Sequence, residues 1–90
     1  MKRYYVVFEG QVQGVGFRWD ISRLASMYGL TGWIRNRDDG RVDCELQGET
    51  VAVFDLIAKA HNSSFYVRID DYSVREIEPV EHENGFHVRF

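Results

Sequence analysis

Hydrophobic and polar positions change period several times along the chain. Tyr4 to Phe8 is a run of aromatic and β-branched residues closed by Gly10, which predicts a strand. From Arg18 to Tyr28 the period turns helical, with Ile21, Leu24, Ala25 and Tyr28 at i, i+3, i+4 and i+7. Gly29 follows where a helix C-terminus favours a left-handed residue. Trp33-Ile34 and Val42 to Leu46 flank Asp38-Asp39-Gly40, and an Asp-Gly pair between two such runs predicts a hairpin. In the second of these strands Val42, Cys44 and Leu46 face one way, and Asp43, Glu45 and Gln47 the other. Val53, Leu56, Ile57 and Ala60 repeat the helical spacing after Glu49 and Thr50, and Asn62-Ser63-Ser64 reads as a loop. A fourth strand falls within Val67 to Ile77, and Phe86, Val88 and Phe90 alternate in a short last one.

The predicted order is β-α-β-β-α-β with a short β tail. It describes an α+β, ferredoxin-like split βαβ fold, an antiparallel sheet with both helices on one face. Ninety residues supply one hydrophobic core, so residues 1–90 are expected to form a single domain. The one cysteine, Cys44, is expected in that core as a small hydrophobe without chemistry, and a lone thiol fits a reducing compartment. Met1 to Glu9 begins like a secretion signal, but its apolar run ends at Glu9, far short of a signal or a membrane span. A cytoplasmic protein without membrane attachment is expected. The absence of a long apolar stripe favours a monomer.

Net charge is −3, unevenly placed. Residues 1–41 carry seven of the eleven Lys and Arg against four acids, while residues 42–90 carry four basic and ten acidic residues. An acidic protein is a poor general binder of nucleic acid, although a positive half can still attract a small anion. The strand Arg41 to Gln47 lacks aromatics and carries two acids, which argues against base stacking. One cysteine and scattered His61, His82 and His87 provide no spacing for a metal site or cluster. Ser63 and Ser64 have no adjacent base to activate them, and Asp38 and Asp39 are accounted for by the turn.

The informative segment is Gly10-Gln11-Val12-Gln13-Gly14-Val15-Gly16-Phe17-Arg18, between the first strand and the first helix. Its glycines leave backbone N–H groups unobstructed, and it leads into a helix N-terminus, where free N–H groups and the dipole favour an anion. Arg18 adds a planar fork suited to phosphate. The spacing is neither G-x-G-x-x-G nor a Walker motif. The same pattern also fits a plain strand-to-helix bend followed by a surface arginine, and spacing alone supports both readings.

A second segment, Gly32-Trp33-Ile34-Arg35-Asn36-Arg37-Asp38-Asp39-Gly40, adds to the first. Together they resemble the acylphosphatase family, whose loop reads Gly-x-Val-Gln-Gly-Val-x-Phe-Arg and whose second motif reads Gly-aromatic-aliphatic-x-Asn-x-x-x-Gly. The resemblance covers the whole chain, including the terminal Gly85-Phe86-His87-Val88-Arg89-Phe90. It implies that Gln13, Gly14, Val15, Gly16 and Phe17 cradle a phosphate with Arg18, and that Asn36 orients the attacking water. It also implies hydrolysis of small-molecule acyl phosphates without metal, cofactor or covalent intermediate, with inorganic phosphate as product and inhibitor.

Trp19 and Trp33 read as rim and packing residues, and Arg23, Arg35 and Arg37 as solvated surface. The sequence departs from many relatives at Arg37, where they place a small hydroxyl, and in His61 to Tyr66, which lacks their glycine and proline. Two other readings stand beside the first. One is a phosphate-sensing or interaction domain without catalysis, which would have no need of Asn36. The other is a carbamoyl-phosphate-handling domain, as in a hydrogenase-maturation factor, which the zinc-finger and transferase segments absent here would accompany.

Overall fold

The computed structural model describes every residue from Met1 to Phe90. In chain order the elements are β1 (Lys2–Gln11), α1 (Phe17–Met27), β2 (Thr31–Asn36), β3 (Val42–Gly48), α2 (Thr50–Ala60), β4 (Arg68–Ile77) and β5 (Phe86–Arg89). The strands form one sheet in the order β4-β1-β3-β2-β5. β1 runs antiparallel to β3 and β4, and β2 antiparallel to β3. This is the expected split βαβ arrangement with one difference, because β5 pairs parallel to β2 and makes the sheet mixed. Phe90 also lies beyond β5 and is exposed, although the alternation placed it in that strand.

Side chains on the two faces of the sheet have separate tasks. Tyr4, Val6 and Phe8 of β1, Ile34 of β2, and Val42, Cys44 and Leu46 of β3 point to one face. There they meet Phe17, Ile21 and Ala25 of α1 and Val53, Leu56, Ile57 and Ala60 of α2 in one hydrophobic cluster. Both helices therefore cover the same face, as the 3.6-residue spacing of their apolar positions requires. Phe8 meets Phe17 edge to face with centroids 5.1 Å apart, joining the first strand to the start of α1. Burial holds the Cys44 thiol far above its ordinary pKa, so it stays an inert hydrophobe.

The other face carries no helix, yet two of its charged residues, Arg3 and Asp43, are buried. Arg3, 1% exposed, donates through Nε to Glu45 (2.6 Å) and through Nη1 to Gln47 (3.1 Å) and Glu83 (2.7 Å). Its second terminal nitrogen also reaches Glu83, at 3.2 Å. Asp43, fully buried, accepts two hydrogen bonds from Arg35 (2.9 and 3.2 Å) and one from the Tyr5 hydroxyl (2.5 Å). Arg35 is exposed, as expected of a surface residue, and its guanidinium also pairs with the buried Asp43. The Arg35 and Arg89 guanidiniums flank Trp33, 5.3 and 4.5 Å from its ring centroid.

Burial alone would raise the Glu83 carboxyl, but hydrogen bonds from Arg3 and Thr31 and the Arg3 charge outweigh it and hold the pKa below its ordinary value. A carboxyl depressed in the folded state stabilises the fold above its unfolded pKa, and that contribution disappears as pH falls through the folded value. Arg3→Met leaves Glu45 and Glu83 without their cation and is predicted to cost about 3 kcal/mol near neutrality. The difference from wild type should shrink on acidification below about pH 4, where the unpaired Glu83 carboxyl protonates. Denaturant unfolding at a series of pH values checks this. A deficit that stays constant across the acid range would contradict the assignment.

Candidate functional site

Val12 and Phe17 are both buried in the core and fix the two ends of the β1–α1 loop. Between them Gly14 (φ 72°) and Gly16 (φ 77°) adopt left-handed backbone, and Gly16 is the residue that caps α1. A side chain at either position would meet no neighbour, so glycine is needed there for conformation and not for space. No side chain caps the helix. The first backbone hydrogen bond of α1 is donated by Asp20 to Gly16, at 3.1 Å. None of the seven consecutive N–H groups from Gln13 to Trp19 donates to a backbone carbonyl. A loop that turns twice through left-handed glycines and then opens a helix gathers free donors at the positive end of the dipole.

This arrangement separates the roles of the residues that the sequence assigned to the loop. Phe17 can offer an anion only its backbone, because its ring is in the core, and Val15 packs partly against the core. Gly14 and Gly16 have only backbone to offer. Arg18 is the first charged side chain of α1. Its Nη1 donates to the Arg89 carbonyl at 2.9 Å, and its guanidinium lies 4.8 Å from the Phe90 ring centroid. Those two contacts leave other N–H donors of the fork available. Trp19 stands at the rim, exposed, with its ring centroid 6.4 Å from that of Phe90.

Asn36 is the last residue of β2, paired with Val42 across the β2–β3 ladder. Strand alternation puts its side chain on the same face as Ile34, the face that α1 covers. The Asn36 Oδ1 atom is buried and has no hydrogen-bond partner in the protein. Such an orphan costs about 1–3 kcal/mol, and folded proteins keep few of them without a use. A cavity of about 510 Å³ opens beside it, lined by Arg35, Asn36, Arg37, Asp38, Asp39 and Phe90. The loop residues 13–17 do not line this cavity; it adjoins Asn36 and the Phe90 ring on which Arg18 rests.

The turn after Asn36 closes through Arg37 N–H to the Arg41 carbonyl (2.8 Å) and Gly40 N–H to the Arg37 carbonyl (3.2 Å). Arg37, beside Asn36, is turned onto Asp39 at 2.7 Å, and Asp39 is also held by Arg41 at 3.0 Å. The Arg41 backbone N–H and side chain and the Arg37 charge together keep the Asp39 carboxyl below its ordinary pKa. Arg23 is exposed and pairs only with Asp20 (3.3 Å) on its own helix. No cluster of three or more His, Cys, Asp or Glu residues is placed to hold a metal ion, and no helix is long and apolar enough to cross a membrane.

The loop and the turn meet through Gln13, whose side-chain amide donates to the carbonyls of Arg37 (2.8 Å) and Arg41 (2.9 Å). The motif identified Gln13 without revealing this clamp. The supports of Arg18, namely the Arg89 carbonyl and the Phe90 ring, gave no signal in the sequence, since they lie 71 residues away or more.

The family model described as Acylphosphatase matches residues 4–88. The acylphosphatase of Bacillus subtilis (strain 168) is 35% identical over 88 residues, covering 98% of this chain and 97% of that protein. The crystal structure of acylphosphatase from Bacillus subtilis superposes with a TM-score of 0.93 at 34% identity, over 100% of both chains. Full-length HypF, solved in a phosphate- and nucleotide-bound form, matches with a TM-score of 0.88 at 30% identity, over 99% of this chain and 12% of that one. With a family model spanning nearly all of its length and a relative matched end to end, this chain belongs to the acylphosphatase family.

Proposed function

We propose that this chain, acting as one domain, hydrolyses the carboxyl–phosphate bond of acyl phosphates to a carboxylate and inorganic phosphate. The observation that carries the reading is the run of seven free N–H groups from Gln13 to Trp19, tied by Gln13 to the strand end that holds Asn36. The phosphate of the substrate sits on these amides, and Arg18 binds its oxygens through the free side of the guanidinium fork. Asn36, on the wall of the cavity, holds a water molecule through its side-chain amide, in line with the bond to be broken. The water oxygen attacks phosphorus, the bond from phosphorus to the acyl oxygen breaks, and its electron pair leaves with the carboxylate.

A carboxylate is a good leaving group, so the reaction needs little acid catalysis and depends on positioning and charge stabilisation. Fixed amides and Arg18 meet the growing charge on the equatorial oxygens without having to reorganise. Asn36 does not titrate near neutrality and cannot take the proton of water, which passes to a phosphate oxygen of the substrate or to solvent. In this reading the chemistry calls for no metal and no cofactor. Inorganic phosphate, the product, competes for the same seat. The protein works as a cytoplasmic monomer, and its lone unpaired thiol fits a reducing compartment.

A phosphate-sensing domain would use the loop and Arg18 but would gain nothing from an amide at Asn36 placed to hold water. The HypF match supports no second reading, because the relatives named acylphosphatase are matched over nearly their whole length.

Hydrolysis of benzoyl phosphate in the presence of a metal chelator tests the proposal, with turnover unaffected by the chelator as the expected result. Arg18→Ala removes charge from both the ground and transition states, so phosphate inhibition and turnover should fall together. Phosphate inhibition that survives this change would remove Arg18 from the seat. Asn36→Ala should lower kcat by about 10²-fold or more and leave phosphate inhibition nearly unchanged, the signature of an interaction made only in the transition state. Wild-type turnover in a folded Asn36→Ala protein would end the role assigned to Asn36.

A further inference from the structure

We infer that the Gln13 side chain is a positioning residue that sets the distance between the bound phosphate and the water held by Asn36. It does so by clamping the β1–α1 loop to the β2–β3 turn. The inference rests on the acylphosphatase reading above and deepens it. Gln13 belongs to the phosphate loop by sequence, yet its side-chain nitrogen donates to two carbonyl oxygens of the neighbouring turn, Arg37 (2.8 Å) and Arg41 (2.9 Å). Both oxygens already accept a backbone hydrogen bond that closes the turn, from Gly40 and Arg37 respectively. A carbonyl has two acceptor sites, so Gln13 completes both, and its amide spends both hydrogens doing so.

The placement of these two carbonyls explains why the clamp matters. Asn36 and Val42 form the last pair of the β2–β3 ladder, and Arg37 and Arg41 are the residues immediately beyond it. The clamp therefore grips the hairpin one residue from Asn36. At its other end it is one residue from Gly14, where the left-handed turns of the loop begin. No other hydrogen bond or ion pair joins residues 13–16 to residues 36–41. Phosphate seat and water holder thus lie on separate elements, joined at the reacting end by one side chain. Displacement of reacting groups by an ångström costs on the order of 10²-fold in rate, while each half keeps its own affinity.

The test uses Gln13→Met, which keeps length and shape and removes both donors. We expect kcat for benzoyl phosphate to fall about 10- to 100-fold, with competitive inhibition by inorganic phosphate changed less than about threefold. The double variant Gln13→Met/Asn36→Ala should turn over within about threefold of Asn36→Ala alone, because Gln13 acts through Asn36. A purely structural role would instead multiply the two losses. Gln13→Glu, which sets a carboxylate against two carbonyls, should lose at least as much as Gln13→Met, and it serves the same test if the Met variant does not fold. Wild-type kcat in either folded variant, or losses that multiply in the double variant, would overturn the inference. If Asn36→Ala itself turns over like wild type, Asn36 holds no attacking water and the inference falls with it, whereas a folded wild-type protein that leaves benzoyl phosphate intact sinks the acylphosphatase reading instead. If Asn36→Ala collapses while Gln13→Met does not, only the clamp is wrong.

Discussion

Seven adjacent backbone N–H groups without a carbonyl to receive them are the constraint around which this molecule is arranged. Left free in a mobile segment, such donors would turn toward water or toward nearby carbonyls. Here Val12 and Phe17 hold the ends of the loop in the core, and Gly14 and Gly16 supply the two left-handed turns between them. Gln13, at the start of the loop, ties it to the neighbouring hairpin. The loop is thereby committed to one shape before any anion arrives. That is the condition under which fixed dipoles stabilise a transition state without reorganising.

The rest of the sheet serves that loop. Its helix-covered face is a continuous apolar layer that buries Phe8 against Phe17 and so fixes where α1 begins. Its open face is held by paired charges, with Arg3 among Glu45, Gln47 and Glu83, and Asp43 between Arg35 and Tyr5. The Arg35–Asp43 pair joins β2 to β3 next to the Asn36 pairing, so it stiffens the strand end from which the water holder projects. The basic excess of residues 1–41 is therefore divided. Arg3, Arg35, Arg37 and Arg41 are spent on carboxylates, and Arg18, at the start of α1, has no acidic partner and rests on the Arg89 carbonyl and the Phe90 ring.

Local patterns made most of the fold readable. Period-2 and period-3.6 spacing located every element, and the alternation of Val42, Cys44 and Leu46 with Asp43, Glu45 and Gln47 assigned the faces of β3 correctly. Alternation could not tell that Asp43 and Gln47 would be buried on the polar side, because their partners Tyr5, Arg35 and Arg3 are on other strands. The parallel pairing of β5 with β2 was hidden for the same reason, since strand partners are set by the whole topology. In the site, Arg18, Asn36 and the loop were legible through two motifs and the family resemblance they carry. The side-chain contacts that link them were not, because Gln13 reaches 24 and 28 residues along the chain and Arg18 reaches 71.

The central claim is that the free amides of this loop are an anion seat. Titration of isotopically labelled protein with inorganic phosphate, followed by backbone and side-chain amide resonances, tests it most directly. The account predicts saturable shifts concentrated in the backbone amides from Gly14 to Trp19 and in the side chain of Arg18. It also predicts that the Gln13 side-chain amide stays hydrogen-bonded to the hairpin. Shifts centred elsewhere, for example around Arg23 and Lys59, with the loop amides unmoved, would contradict it.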